Sequence, residues 1–129
     1  MKSKLNKYFY CKHCHKIVEV LVDSKAKLVC CGEEMIELTP NTTDAANEKH
    51  VPVIKVNHNQ VTVEVGSVTH PMSEEHYITF IELLTNKGSY RQDLKPNMAP
   101  SATFYLAEDE EVLNAVAFCN LHSLWAFKN

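Results

Sequence analysis

The sequence predicts a mainly β protein in which a small, metal-stapled N-terminal module precedes a β-sandwich. Four of the five cysteines fall within the first 40 of 129 residues, and so short a segment usually needs a staple to fold. The rest of the chain contains short runs of β-branched and aromatic residues separated by turn residues, which is typical of a sandwich. We therefore expect two domains, residues 1–40 and 41–129.

The N-terminal module is predicted to begin with a hairpin-like metal knuckle. Tyr8 starts a short strand, the turn Cys-Lys-His-Cys follows at residues 11–14, and a second strand covers residues 17–22. A pair of adjacent cysteines comes later and is followed by Gly32, which can supply a positive φ beside metal-bound sulfurs. The polar stretch 39–44 is expected to be the linker between the domains.

The second domain is predicted to consist of short strands joined by turns. A hairpin is expected at residues 51–65, because valines alternate with polar residues after a turn at 57–60. Further strands are expected at residues 77–84, 102–106, 114–118 and 124–127. The apolar spacing of residues 73–84 also fits a helix, but the β-branched and aromatic content favours a strand.

Four N-terminal cysteines have the spacing of a single metal site. They form a Cys-x2-Cys pair and a Cys-Cys pair: Cys11, Cys14, Cys30 and Cys31. Four thiolates can surround one tetrahedral zinc or iron ion, and the spacing leaves the choice of metal open. An odd number of cysteines in this pattern indicates metal binding rather than disulfides. His13 and His15, beside the first pair, are expected to be exposed or to lie around the site without binding the metal.

A second set of candidate ligands lies in the second domain. Cys119 and His122 are three residues apart, so one tight turn after a strand can present both to the same ion. His50, His70 and His76 belong to other segments, and each is a weak signal by itself. One sulfur with several imidazoles suits iron, copper, nickel or zinc rather than magnesium or calcium. We therefore predict a redox-capable metal centre.

Together these cysteines and histidines resemble desulfoferrodoxin, the two-iron superoxide reductase family, from about Tyr8 to Trp125. The resemblance implies a desulforedoxin-like iron tetrathiolate module followed by an immunoglobulin-like β-sandwich with a second, catalytic iron. Its equatorial ligands would be His50, His70, His76 and His122, with the Cys119 thiolate axial and the sixth position facing solvent. The implied reaction is one-electron reduction of superoxide to hydrogen peroxide, without release of dioxygen.

The same resemblance assigns roles to residues beside the ligands. Lys49 is implied to attract superoxide, which is a small anion. Glu48 matches the carboxylate that can occupy the sixth position in the ferric resting state. Met72 is expected to pack rather than to bind metal, and Trp125 is expected to pack beneath the turn that carries Cys119 and His122. His58 lies in the predicted hairpin turn and is expected to be exposed, with no role.

Charge and hydropathy limit the partners. A formal net charge of −3 and a pI near 6.1 give no case for nucleic acid or anionic membrane as the main partner. No run approaches about 18 consecutive apolar residues, and the N-terminus lacks the apolar stretch of a secretion signal. We therefore expect a cytoplasmic protein. The resemblance further suggests a homodimer that receives electrons from a rubredoxin-like carrier.

Two other functions remain open at this point. One is a non-catalytic electron-transfer protein with two irons, against which the open sixth position argues. The other is a zinc-stabilised binding module without redox function. That function would leave the three upstream histidines and Lys49 unexplained.

Overall fold

The structure is a computed structural model that describes residues 5–42, 50–66 and 68–127. Within these ranges the chain forms strands, turns and loops, with no helix. One compact unit is Leu5–Thr39, and the other contains the described residues from Pro40 onward. The predicted fold class, a cysteine-rich β module followed by a β-sandwich, is confirmed. None of the described segments is a helix long and apolar enough to cross a lipid bilayer.

The smaller unit is built on a three-stranded antiparallel sheet with β1 in the centre. Its strands are β1 (Lys7–Tyr10), β2 (Ile17–Val20) and β5 (Ile36–Glu37), and a minimal hairpin joins β3 (Val29–Cys30) to β4 (Glu33–Glu34). Few apolar side chains of this unit are buried among the described residues: Tyr8, Cys11 and Met35. Since so small a core contributes little stability, a metal staple is physically reasonable.

The second strand of this unit is shorter than predicted. It was expected to run to residue 22 but ends at Val20, because Val20 pairs with Lys7, the first residue of β1. Leu21 and Val22 lie beyond the ladder and are 89% and 90% exposed. Although both side chains are apolar, neither belongs to the core.

The larger unit is a sandwich of a three-stranded and a four-stranded antiparallel sheet. The strand orders are β10-β7-β6 and β12-β11-β8-β9. The strands are β6 (Pro52–Asn57), β7 (Gln60–Val65), β8 (Ile78–Thr85), β9 (Ser89–Asp93), β10 (Ser101–Tyr105), β11 (Val112–Cys119) and β12 (Ser123–Ala126). The helical alternative for residues 73–84 is wrong. Strand β9 was not predicted, because it is a mostly exposed edge strand without apolar alternation.

The core lies between the two sheets and is filled by alternate side chains. Every second residue of β7 from Val61 to Val65 is buried, as are Ala115 and Ala117 of β11. Cys119 continues this series at the end of β11 and is fully buried. A candidate metal ligand is therefore also a core residue.

A β-bulge adjusts the sheet beside Cys119. Phe118 pairs with Phe80 whereas Cys119 pairs with Ile78, so β8 contains one extra residue at this point. The shift changes the phase of alternation, and Ile78 and Ile81 both face the core. It thereby allows the end of β11 and the start of β8 to keep buried side chains next to each other.

Part of the predicted linker is attached to the sandwich. Asn41 forms a parallel bridge with Trp125, in which the Asn41 N–H donates to Leu124 O at 2.9 Å and the Ala126 N–H donates to Asn41 O at 2.9 Å. Residues 43–49 lie outside the described residues.

Candidate metal centres

The sulfur atoms of the four N-terminal cysteines form one cluster. The Sγ atoms of Cys11, Cys14, Cys30 and Cys31 all lie within 4.8 Å of one another. Cys14 Sγ is 3.7 Å from Cys30 Sγ, which is 3.9 Å from Cys31 Sγ. The structure thus brings together all four cysteines that the spacing indicated.

Local backbone geometry explains how two separate pairs reach one point. The Cys14 N–H donates to Cys11 Sγ at 3.5 Å, and the His15 N–H donates to Cys11 O at 2.8 Å, which closes a tight knuckle. On the other side, Cys31 and Gly32 have φ values of 53° and 76°. These positive φ values turn the chain sharply, so that adjacent cysteines can both face the cluster.

Hydrogen bonds within the cluster shift the pKa values of its thiols in opposite directions. The pKa of the Cys11 thiol is lowered to about 6, chiefly because the Cys14 N–H donates a hydrogen bond to the Cys11 sulfur. Hydrogen bonds with the Cys14 and Cys11 thiols instead raise the pKa of the Cys31 thiol to about 12. A cation bound among the four sulfur atoms would lower these pKa values and favour the thiolate forms. The donor set fits a tetrahedral iron or zinc ion.

The two histidines of the knuckle make contacts outside this cluster. His13 Nε2 lies 2.9 Å from Glu33 Oε1, and His15 Nδ1 lies 2.5 Å from the Tyr10 hydroxyl. Both histidines are exposed. They surround the site without joining the sulfur atoms, in agreement with expectation.

A second cluster lies at one end of the sandwich. His50, His76, Cys119 and His122 each offer a ligand atom, and these atoms lie within 4.8 Å of one another. His50 Nε2 is 3.1 Å from His122 Nδ1, and Cys119 Sγ is 3.7 Å from the same Nδ1 atom. One thiol and three imidazoles therefore converge from four segments of the chain.

His70 completes a nearly square arrangement of four imidazole rings. Its ring centroid lies 4.6 Å from that of His50 and 4.7 Å from that of His76, and the His122 centroid lies 4.8 Å and 5.0 Å from the same two rings. The distance from His50 to His76, across the square, is 6.3 Å. A longer diagonal is expected for ligands around a plane, whereas four tetrahedral ligands would be equally spaced.

The hydrogen bond made by His70 indicates which of its nitrogens faces the cluster. His70 Nδ1 lies 2.7 Å from the carbonyl oxygen of Pro71. A carbonyl only accepts hydrogen bonds, so Nδ1 carries the proton and Nε2 keeps its lone pair. That Nε2 atom is buried. A second hydrogen bond of this kind commonly orients a metal-bound imidazole.

The donor set of this cluster fits a late first-row transition metal. His50 and His70 are 1% and 2% exposed, and Cys119 is fully buried, so three of the five donors are held in a nearly dry environment. His122 is exposed, which leaves one side of the cluster accessible to solvent. Several imidazoles with one thiolate suit iron, which is one of the four metals named from the sequence (iron, copper, nickel and zinc). They do not suit magnesium or calcium.

The topology of the sandwich explains why these segments meet. His50 precedes β6 and His76 precedes β8, whereas His70 follows β7 and Cys119 ends β11. Since neighbouring strands are antiparallel, these positions fall at the same end of the two sheets. His122 lies in the three-residue loop between the paired residues Cys119 and Ser123.

Three further predictions about residues in this unit agree with the structure. Met72 packs against the core, and its sulfur accepts a hydrogen bond from the Ile78 N–H at 3.4 Å. His58 is exposed in the β6–β7 turn. Trp125 Nε1 donates to His122 O at 2.9 Å, so the indole supports the loop as expected.

Two predicted site residues and one overlooked residue complete this account. Glu48 and Lys49 lie outside the described residues. Sequence reasoning assigned no role to Asn120, whose side chain hydrogen-bonds to both neighbours of His76. No local signal marked this role, because the two backbone groups that Asn120 contacts lie 43 and 45 residues away in the chain.

Comparison with known proteins finds one family along nearly the whole chain. A sequence model described as Desulfoferrodoxin matches residues 42–128, and one described as Desulfoferrodoxin, N-terminal domain, matches residues 3–38. A Desulfoferrodoxin from Syntrophotalea carbinolica is 48% identical over 126 residues, which cover 98% of this chain and 98% of that relative.

Relatives named for an enzymatic activity are also found. The Superoxide reductase of Pyrococcus horikoshii is 32% identical over 108 residues, covering 70% of this chain and 94% of that relative. The crystal structure of the superoxide reductase from Treponema pallidum superposes with a TM-score of 0.83 at 36% identity. That match covers 96% of this chain and 98% of the solved one.

Proposed function

The chain belongs to the desulfoferrodoxin family, and from that premise we propose that it reduces superoxide at the histidine and cysteine cluster of its sandwich. It is an oxidoreductase of the superoxide reductase type, which transfers one electron to superoxide to give hydrogen peroxide. Its residues match the two iron centres of the family. The alternative of a non-catalytic electron carrier is not favoured.

The nearly square set of imidazoles beside a buried thiol is the observation that carries this proposal. We assign the iron ligands of this centre as His50, His70, His76, Cys119 and His122. Iron bound there would supply the electron for the reaction and a coordination position that a small anion can reach. We assign the second iron to the four N-terminal cysteines.

Burial of Cys119 fits the role of an electron-donating ligand. Its side chain belongs to the core and is fully excluded from solvent. A thiolate in so apolar a place carries a poorly solvated charge, which favours its binding to a cation. Thiolate ligands donate electron density to iron in other proteins, and Cys119 would supply that donation to an iron bound here.

Accessibility of the cluster fits a small anionic substrate. His122 is exposed while His50 and His70 are buried, so the cluster is reached from one side. Lys49, which directly precedes His50, is proposed to raise the local concentration of superoxide through its positive charge. Glu48 is proposed to close the site with its carboxylate once the electron has left.

Proton delivery must accompany the electron. Superoxide requires one electron and two protons to become hydrogen peroxide. We propose that water ordered by Lys49 supplies these protons from solvent at the exposed side of the cluster. An external reductant then restores the enzyme, and we propose a rubredoxin-like carrier for this step.

The main role proposed for the metal of the N-terminal module is to hold that module folded. We place the domain boundary between residues 40 and 41. The described part of this module buries few apolar side chains, which supports a staple role for its metal. Electron transfer through the same iron is a further role to be tested. We also propose that the protein is located in the cytoplasm and forms a homodimer.

The site assignment is tested by comparing two cysteine variants in the full-length protein. The ferrous protein is mixed rapidly with superoxide, and oxidation of the second centre is followed by visible absorption. C14S should keep the reaction, because it disturbs the N-terminal unit and leaves the sandwich folded, whereas C119S should lose it. Unchanged oxidation in C119S would contradict the assignment.

A further inference from the structure

The side chain of Asn120 joins the loop that carries Cys119 and His122 to the segment that carries His76. Its Oδ1 atom accepts a hydrogen bond from the Tyr77 N–H at 2.9 Å, and its Nδ2 group donates to Glu75 O at 3.0 Å. The Asn120 N–H also donates to Tyr77 O at 3.2 Å. Three hydrogen bonds thus hold the residues on both sides of His76.

We propose that Asn120 is a positioning residue, which fixes the His76 imidazole relative to the Cys119 sulfur before any metal binds. This inference rests on the proposed function for the identity of the two ligands. It adds a residue that acts through others, since the Oδ1 and Nδ2 atoms of Asn120 both hydrogen-bond to backbone groups beside His76.

The two ligands joined in this way differ in how firmly the sheet holds them. Cys119 is paired in the ladder with both Ile78 and Ser123. His76 precedes β8 and lies outside the ladder, in a tight turn where its N–H donates to Ser73 Oγ at 3.2 Å. The Asn120 side chain therefore connects a rigid position to one that depends on loop contacts.

The amide side chain is suited to this task because it both donates and accepts hydrogen bonds. Alanine at position 120 removes both side-chain bonds and leaves only the backbone bond to Tyr77. Aspartate keeps an acceptor for the Tyr77 N–H but loses the donor to Glu75 O. Comparison of the two variants separates the contributions of the two sides of His76.

The test uses the full-length protein and a metal readout that does not depend on superoxide. One equivalent of Zn²⁺ first fills the tetrathiolate site, where it is colourless, and Co²⁺ is then titrated into the second cluster. The thiolate-to-cobalt absorption band reports binding at Cys119 in the wild type, N120A and N120D. The matched control is N59A, because Asn59 is an exposed asparagine in the β6–β7 turn.

We expect N120A to bind Co²⁺ about tenfold more weakly, as for other residues that orient ligands, and to shift the absorption band. N120D should show a smaller loss, and N59A should match the wild type. In the metal-free protein, hydrogen exchange at the Tyr77 amide should be faster in N120A. If N120A does not fold, weaker cobalt binding by N120D carries the test.

Other results would overturn the inference. One is wild-type cobalt affinity and an unchanged band in folded N120A, or in folded N120D if N120A does not fold. A lower Tm of the metal-free variant would not change this conclusion, because a loss of stability alone indicates a structural role rather than a positioning role. Absence of cobalt binding in the wild type would instead refute the ligand assignment, and this proposal with it.

Discussion

The indole ring of Trp125 stacks on the imidazole of His50. Their ring centroids are 4.6 Å apart and their planes differ by 17°. The same indole donates its Nε1–H to the carbonyl oxygen of His122 at 2.9 Å. One aromatic side chain on β12 therefore supports two of the proposed ligands, one by its face and one by its edge.

Substitution of Trp125 should separate these two contacts. W125F keeps an aromatic face for His50 but loses the hydrogen bond to His122, so the free energy of unfolding should fall by about 1 kcal/mol. W125A also loses the packing and should cost about 3 kcal/mol. Urea unfolding of the metal-free protein, followed by circular dichroism, measures both values.

A matched control for Trp125 is Y105F, because Tyr105 is an exposed aromatic residue on β10. Its unfolding free energy should equal that of the wild type. Equal stability of W125F and the wild type would show that the indole hydrogen bond contributes nothing.

Loss of one N-terminal cysteine should unfold the small unit without unfolding the sandwich. C14S removes one of four converging sulfurs, and the unit has few buried apolar residues to replace the staple. We expect loss of the tetrathiolate absorption and rapid amide exchange at Phe9 and Val18. Protection at Leu83 and Ala117 should persist, and its loss would show that the two units unfold together.

Replacement of Lys49 should slow the reaction with superoxide without loss of iron. K49A removes a positive charge next to a proposed ligand, and the second-order rate constant should fall about tenfold at low salt. The dependence of this rate on ionic strength should also weaken. K55A is the matched control, because Lys55 is an exposed lysine paired with Glu64 on the sandwich. Equal rates in K49A and K55A would refute the steering role.

The carboxylate of Glu110 should stabilise the sandwich in a pH-dependent way. Hydrogen bonds from the Thr85 and Tyr90 hydroxyls lower the pKa of Glu110 below its ordinary value of 4.5. A lowered pKa means that this stabilisation is complete above 4.5 and is lost as the pH falls through the folded-state value.

The test for Glu110 is urea unfolding of E110Q and the wild type from neutral pH to about pH 3. E110Q should be less stable at neutral pH, and the difference should shrink as the wild-type carboxylate is protonated. E108Q, at an exposed neighbouring position, is the control. A difference that stays constant with pH would contradict the proposed linkage.

Strands with a strong local pattern could be predicted from the sequence. The valines of β7 alternate with polar residues, and the structure buries them as expected. Strand β9 was overlooked because its residues, from Ser89 to Asp93, are polar and mostly exposed. Its place is fixed by pairing with β8, which no local pattern reveals.

The ligand residues could be named from the sequence, whereas the contacts that hold them could not. Cys119 and His122 share one turn, so their proximity is local. The approach of Asn120 to Glu75 and Tyr77 spans 45 and 43 residues, and the contact of Trp125 with His50 likewise depends on the meeting of separate strands. Such contacts follow from sheet topology and from the bulge beside Cys119.

The most direct test of the proposed reaction is the product balance after a single exposure to superoxide. The ascorbate-reduced protein is mixed with superoxide, and hydrogen peroxide, dioxygen and oxidised iron of the histidine and cysteine centre are measured together. After subtraction of the products that superoxide gives without protein, superoxide reduction predicts equal amounts of hydrogen peroxide and oxidised iron, with no additional dioxygen. Additional dioxygen, or iron that superoxide does not oxidise, would contradict it.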